Sequence, residues 1–199
     1  QITNKAIQAL VVFVLLVMAM IWAYFRDWKM SIAAIVALLH DLILTVGVYA
    51  LAGFTVTPAT LTGVLTILGY SLYDTVVVFD KVKENVQGLT SQNRSYTEAA
   101  NTAVNQVLVR SLNTTLIGVI PVAALLAAGL FWLHGGPLVD LGLALFVGMV
   151  AGAYSSIFIA TPLLALLKER EPGMKAHRER LARRSEKARG RAKIGDATA

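Results

Sequence analysis

The 199-residue sequence contains no cysteine. That excludes a disulfide framework and a thiolate metal site. There are only three histidines, His40, His134 and His177, too scattered to build a four-ligand zinc site on their own. No metal and no cofactor is expected. Charge is scarce as well, since Asp, Glu, Lys and Arg make up 15% of the residues, against about 25% in an ordinary soluble domain. Hydrophobic residues fill the gap at 56%, and the mean hydropathy is +0.65. The solvent that matters for this chain is therefore a lipid bilayer. The sequence opens on Gln1 rather than Met, and its first apolar run lacks a small-residue cleavage pattern after it. We expect the start to be internal to a longer protein.

Five apolar runs, at about 6–25, 31–53, 58–80, 109–131 and 137–167, are each long enough to cross a hydrocarbon core about 30 Å thick, which takes about 20 helical residues. In lipid every backbone polar group must be satisfied internally, so the choice is between helices and a closed barrel. The runs show no two-residue alternation, which excludes the barrel. The expected fold is an all-α integral membrane protein, with five transmembrane helices in residues 1–170 and a basic tail at 171–199.

Basic residues are absent from two connections, 54–57 and 132–136. They gather instead at Arg26 and Lys29, at Lys81, Lys83, Arg94 and Arg110, and after the fifth span, where eleven fall between Lys168 and Lys193. The positive-inside rule then places residues 26–30, 81–109 and the C-terminus in the cytoplasm and residue 1 outside.

Within the loop after the third span, Ser95-Tyr96-Thr97-Glu98 has the form of a capping box, followed by Ala99, Ala103, Val104, Val107 and Leu108 at helical spacing. This pattern predicts a short amphipathic helix along the cytoplasmic interface. Gly148 and Gly152, with Gly142, Ser155 and Ser156, make the fifth span a close-contact helix. Pro121 and Pro162 each remove a backbone donor and are expected to bend the fourth and fifth spans.

Ionisable groups inside spans are costly, about 2.5 to 3.5 kcal/mol on insertion scales, and are kept where they pair, take up a proton or line a polar path. Asp74 lies about 9 Å in from the charged cluster at Asp80–Glu84, and His40-Asp41 about 15 Å from Ser31. Arg110 opens the fourth span, one turn before Asn113, Thr114 and Thr115. Together they form a candidate polar seam. An Asp there is pulled towards the neutral form by desolvation and towards the charged form by a nearby Arg, a competition that suits a proton relay. The bland alternative is structural polar glue fixing helix register. Asp74 and Arg110 are the candidate relay residues, with His40, Asp41, Asn113 and Thr114 as supporting polar groups. Asp140 is expected at the outer interface.

The run Gly69-Tyr70-Ser71-Leu72-Tyr73-Asp74-Thr75-Val76-Val77-Val78-Phe79-Asp80-Lys81-Val82-Lys83-Glu84-Asn85, with Arg110-Ser-Leu-Asn-Thr-Thr115 and the intramembrane His40-Asp41, closely resembles the SecF family. These are the smaller membrane subunits of the bacterial SecD–SecF accessory complex for protein export, related to resistance-nodulation-division transporters. The likeness covers residues 1 to about 170, while the tail matches by character only. It implies the last five of six spans, without the first span and the periplasmic domain that follows it. It also implies coupling of the proton-motive force to export of a preprotein after SecA has driven it through the SecYEG translocon. By resemblance, Asp74 is the relay carboxylate and Arg110 its partnering arginine. Tyr73 and Lys81 stand where many relatives carry Asn and Arg, changes that remove no titratable group. SecD, SecYEG, SecA, the preprotein and the bilayer are the implied partners, and the bacterial plasma membrane the implied location. The second essential carboxylate is attributed to SecD, so this fragment alone is not expected to conduct protons.

Enzyme readings fail on local sequence. An intramembrane aspartyl protease needs a second aspartate in a Gly-x-Gly-Asp setting, which neither Asp41 nor Asp140 has, and Ser71 lacks the Gly that follows a rhomboid nucleophile. Two non-enzymatic alternatives stand: a small-molecule/proton antiporter of the same superfamily, and a passive scaffold for SecD. The tail, with eleven basic and four acidic residues from Lys168 to Lys193, is expected to be a partly helical or disordered arm, attracted to polyanions such as anionic lipid or the ribosome.

Overall fold

The computed structural model describes residues 2–132 and 136–196, with side chains over 7–132 and 136–187. His134 and most of the 132–136 connection, like the side chain of Lys5, lie outside the described residues. The chain runs α1 (Ile2–Phe25), α2 (Trp28–Ala52), α3 (Pro58–Asn85), a 3₁₀ turn (Leu89–Ser91), α4 (Tyr96–Phe131), α5 (Pro137–Ser155), a π-helical turn (Ser156–Ala160), α6 (Thr161–Glu169) and α7 (Pro172–Asp196), with no strand among the described residues. Five spans are long and apolar enough to cross a membrane, α5 through α6 counting as one.

Caps explain where the helices begin. Asp27 accepts from the Lys29 amide at 3.1 Å to open α2, and Thr57 with Thr60 forms a capping box ahead of Pro58 for α3. At α4, Ser95 Oγ accepts from the Glu98 amide at 3.2 Å and Glu98 Oε2 from the Ser95 amide at 2.7 Å, the reciprocal box expected from sequence. The helix it starts is not the separate interfacial element expected, however. It continues unbroken through the fourth span for 36 residues. The reason is local, because residues 105–110 contain neither Gly nor Pro and nothing stops propagation. Ser95→Ala should therefore destabilise the start of a whole span, by about 1 kcal/mol. Thermal unfolding in detergent should show a lowered midpoint for Ser95→Ala and a near-native one for Ser95→Asn.

The prolines behave differently from each other. Pro121 sits inside α4, which continues on both sides of it. Pro162 follows the π-helical turn, where the wider turn accommodates the missing donor and Thr161 Oγ1 donates to the Ser156 carbonyl at 3.0 Å.

α5 is the centre of the bundle, packing against α3, α4 and α2, while α1 touches mainly α2. Small residues allow the closeness: the Cα of Gly148 lies against Ile67 of α3, and that of Gly152 against Ser71. α1 and α4 are the least buried of the spans, with Leu15, Leu16, Leu116 and Ile117 all exposed.

The basic residues meet at one end of the bundle. Lys168 Nζ lies 2.5 Å from Asp27 and 3.1 Å from Glu171, and Lys29 Nζ lies 2.9 Å from Glu171 and donates to the Leu167 carbonyl at 2.8 Å. The tail, expected to be partly helical or disordered, is helical, and its start is docked on the bundle. α7 starts directly after Glu171, and its His177 is 5% exposed, with Nε2 2.9 Å from the Arg94 carbonyl. Glu171 at the head of the tail pairs with Lys29 and Lys168, which ties that end of the tail to the bundle. Burial works against the Glu171 carboxylate, but hydrogen bonds from Lys29 and Lys168 outweigh it and hold its pKa below the ordinary value of 4.5. Because the folded pKa is the lower one, this contribution is complete above about pH 4.5 and is lost as the pH falls through the folded value. Thermal midpoints measured from pH 6 down to about 3 should drop at the acid end, and Glu171→Gln should flatten that limb.

Candidate functional site

Two carboxylates are buried in the spans, each in the crossing of α3 with a neighbour. Asp41 of α2 is 0% exposed. Its Oδ2 accepts from Ser71 Oγ of α3 at 2.5 Å and from Ser155 Oγ of α5 at 2.8 Å, and its Oδ1 lies 3.2 Å from His40 Nδ1. Thr45, one turn on, donates to the Asp41 carbonyl at 2.8 Å. The site thus ties α2, α3 and α5 together through one side chain.

Asp74 is the second. It sits three residues beyond Ser71 on α3, 9% exposed, and accepts from Ser111 Oγ of α4 at 2.9 and 2.7 Å. Thr75 Oγ1 and Ser156 Oγ, 2.9 Å apart, join α3 to the π-helical turn beside it. Residues 71, 74 and 75 follow the i, i+3, i+4 rule, so the polar groups share one face of α3 and connect both carboxylate sites.

The other expected members lie at the rim. Arg110 is exposed and lines a narrow crevice with Tyr73, Asp74, Ser111 and Thr114, but forms no ion pair among the described residues. Thr114 is exposed, and its hydroxyl donates to the Arg110 carbonyl at 2.8 Å. Asn113 is exposed and joins none of these hydrogen bonds. At the far end, Asp140 accepts from Thr57 Oγ1 at 2.8 Å and its carbonyl from the Tyr49 hydroxyl, tying α5 to α2 and α3.

Sequence reasoning missed Ser111, and it treated Ser155 and Ser156 as packing residues and Ser71 as a failed nucleophile. One signal was available: Ser71, Asp74 and Thr75 repeat at helical spacing within an apolar run. Nothing comparable pointed to Ser111.

The partners found here suit a group that changes protonation state. A hydroxyl donates to a carboxylate and accepts from a carboxylic acid, so Ser111 serves Asp74 in either form. Among the described residues no cation lies within ion-pair distance of Asp74. Among the described residues no cluster of three or more His, Asp or Glu is placed to hold a metal ion.

Residues 1–170 match the family model described as protein export membrane protein SecD/SecF, C-terminal. The chain is 57% identical over 190 residues to the protein translocase subunit SecF of Streptomyces coelicolor, covering 94% of this chain and 51% of that protein. It is 52% identical over 185 residues to SecF of Mycobacterium tuberculosis, covering 92% and 42% respectively. The crystal structure of SecDF from Thermus thermophilus, a translocon-associated membrane protein, superposes with a TM-score of 0.75 at 36% identity, over 84% of this chain and 22% of that one. The chain thus spans about half the length, or less, of these relatives.

Proposed function

The chain belongs to the family of SecD/SecF C-terminal protein export membrane proteins, and from that premise we propose that it is the membrane part of a SecF-type accessory subunit of Sec protein translocation. In this reading Asp74 takes up and releases the proton whose passage is coupled to preprotein export. The observation that carries it is the setting of Asp74: a buried carboxylate met by hydroxyls, Ser111 of α4 at 2.9 and 2.7 Å and Ser156 of the π-helical turn beside it. Protonation makes the site neutral and compatible with closure in lipid, while ionisation favours approach of Arg110, which lines the same crevice without an ion pair. α4 and α3 would then have two arrangements of similar energy, and the proton would choose between them.

The exposed Arg110 and Asn113 on α4 suit a face that meets another subunit better than one facing lipid tails. A SecD-type subunit is the natural partner, as some relatives of this chain are named SecDF, with both names in one protein. The membrane is the bacterial plasma membrane, with the basic end in the cytoplasm by the positive-inside rule. SecYEG and SecA belong to the same scheme as the channel and motor that act before it.

The test is export of a secreted preprotein into membrane vesicles containing the full-length protein with its SecD partner, with and without an imposed proton gradient. A gradient response that depends on Asp74 supports coupling. A response unchanged in Asp74→Asn, with the complex intact, rejects it in favour of a passive scaffold.

A further inference from the structure

At the basic end of the bundle, the ends of α1, α3, α4 and α6 enclose a crevice of about 180 Å³. Its walls carry two donors that lack an acceptor. Tyr96 is 5% exposed and its hydroxyl, buried, has no hydrogen-bond partner among the described residues. Lys83 is half-buried, its ammonium 5.5 Å from the centre of the Phe25 ring and in no ion pair among the described residues. The other charges on the crevice wall are paired, Asp27 and Glu171 with Lys168, and Glu171 also with Lys29 behind the wall. With Lys29 on Glu171 from behind the wall, three ammonium groups stand against two carboxylates, and Lys83 is the one in no ion pair among the described residues.

A buried hydroxyl and a half-buried ammonium that both lack an acceptor describe the missing group: an anion with oxygen acceptors and one negative charge. We infer that the crevice lined by Tyr96 and Lys83 is a binding site for a phosphate group. Its position favours a phospholipid as the source. The crevice lies where the apolar spans end, the level at which headgroup phosphates sit, and Phe25, Met30, Val86 and Leu89 give it apolar walls suited to the glycerol and upper chain. A phosphodiester carries one charge and balances Lys83. Free phosphate, with a charge of about −1.5 to −2 at neutral pH, would leave excess negative charge beside Asp27 and Glu171. The tail contributes too, since α7 begins beside Glu171 and Met174 forms part of the wall, so an occupied site would fasten the docked tail.

The experiment uses the full-length protein in phosphatidylcholine nanodiscs doped with phosphatidylglycerol, released for native mass spectrometry to count retained phosphatidylglycerol, with a parallel equilibrium dialysis against radiolabelled inorganic phosphate. Tyr96→Phe removes only the hydroxyl, and Lys83→Gln only the charge. Each should lower specific retention roughly ten-fold, the effect of one lost hydrogen bond to a charged group, while inorganic phosphate neither binds nor competes. Loss of phosphate binding in both variants, with phosphatidylglycerol retention unchanged, would keep the phosphate site and assign it a soluble occupant. Unchanged retention and unchanged dialysis in Lys83→Gln overturn the inference, and that variant decides alone if Tyr96→Phe does not fold.

Discussion

Asp74→Asn is expected to remove the response of preprotein export to a proton gradient while leaving the bundle assembled. Asparagine has nearly the size of aspartate, and its amide oxygen still accepts from Ser111, so the contact between α3 and α4 is kept. It cannot bind a proton at the amide in the physiological range. Moving one charge through 100 mV yields about 2.3 kcal/mol, which corresponds to a bias of roughly 50-fold between two states of similar energy. That factor is the largest part of the gradient effect one proton can supply, and the variant forfeits it. Export driven by nucleotide hydrolysis without a gradient should be unaltered. Ser111→Ala separates positioning from titration, because Asp74 can still bind a proton there but loses the Ser111 hydroxyl. The gradient response should survive with its dependence on pH displaced, which a purely structural role for Ser111 would not produce.

Gly148→Val is expected to have the largest effect on the fold itself. A Cβ at position 148 would lie 2.2 Å from Ile67 Cγ2 and 2.4 Å from Ile67 Cδ1. Ile67 is 2% exposed, in the contact of α3 with α5, and has no open space to retreat into. The helices must separate, at a cost of about 3 kcal/mol or more. The damage should spread one turn further along the same face, where Gly152 lies against Ser71 and Ser71 donates to Asp41. Gly47→Ala is the control, since nothing lies within 4 Å of the added carbon and alanine is the better helix former. Thermal stability of the purified protein should fall sharply for Gly148→Val and stay level or rise for Gly47→Ala. Equal midpoints for all three proteins would mean that α3 and α5 do not approach as described.

The span count and capping signals were legible because each depends on residues close in the chain. Apolar runs of about 20 residues dictate helices in lipid, and Ser95 with Glu98 dictates a helix start. The same local reasoning went astray at residues 96–131. Amphipathic spacing before Arg110 suggested a separate element, but whether a helix stops is decided by the absence of a breaker, and none stands there. It also underrated the tail, whose composition is that of a solvated arm but whose first turns are held by Lys29, Lys168 and the Arg94 carbonyl.

The candidate site divides along the same line. By itself the sequence determined that this is a helical membrane protein with two carboxylates placed where an ionisable group is expensive, since hydropathy and helix rise are properties of the chain alone. Only the tertiary structure decided what those carboxylates meet: Ser71 and Ser155 around Asp41, Ser111 on Asp74, and Arg110 beside the crevice without an ion pair. These contacts join residues 30 to 114 positions apart. Their geometry follows from how closely α5 can approach its neighbours, which depends on Gly148 and Gly152 packing against side chains far away in sequence.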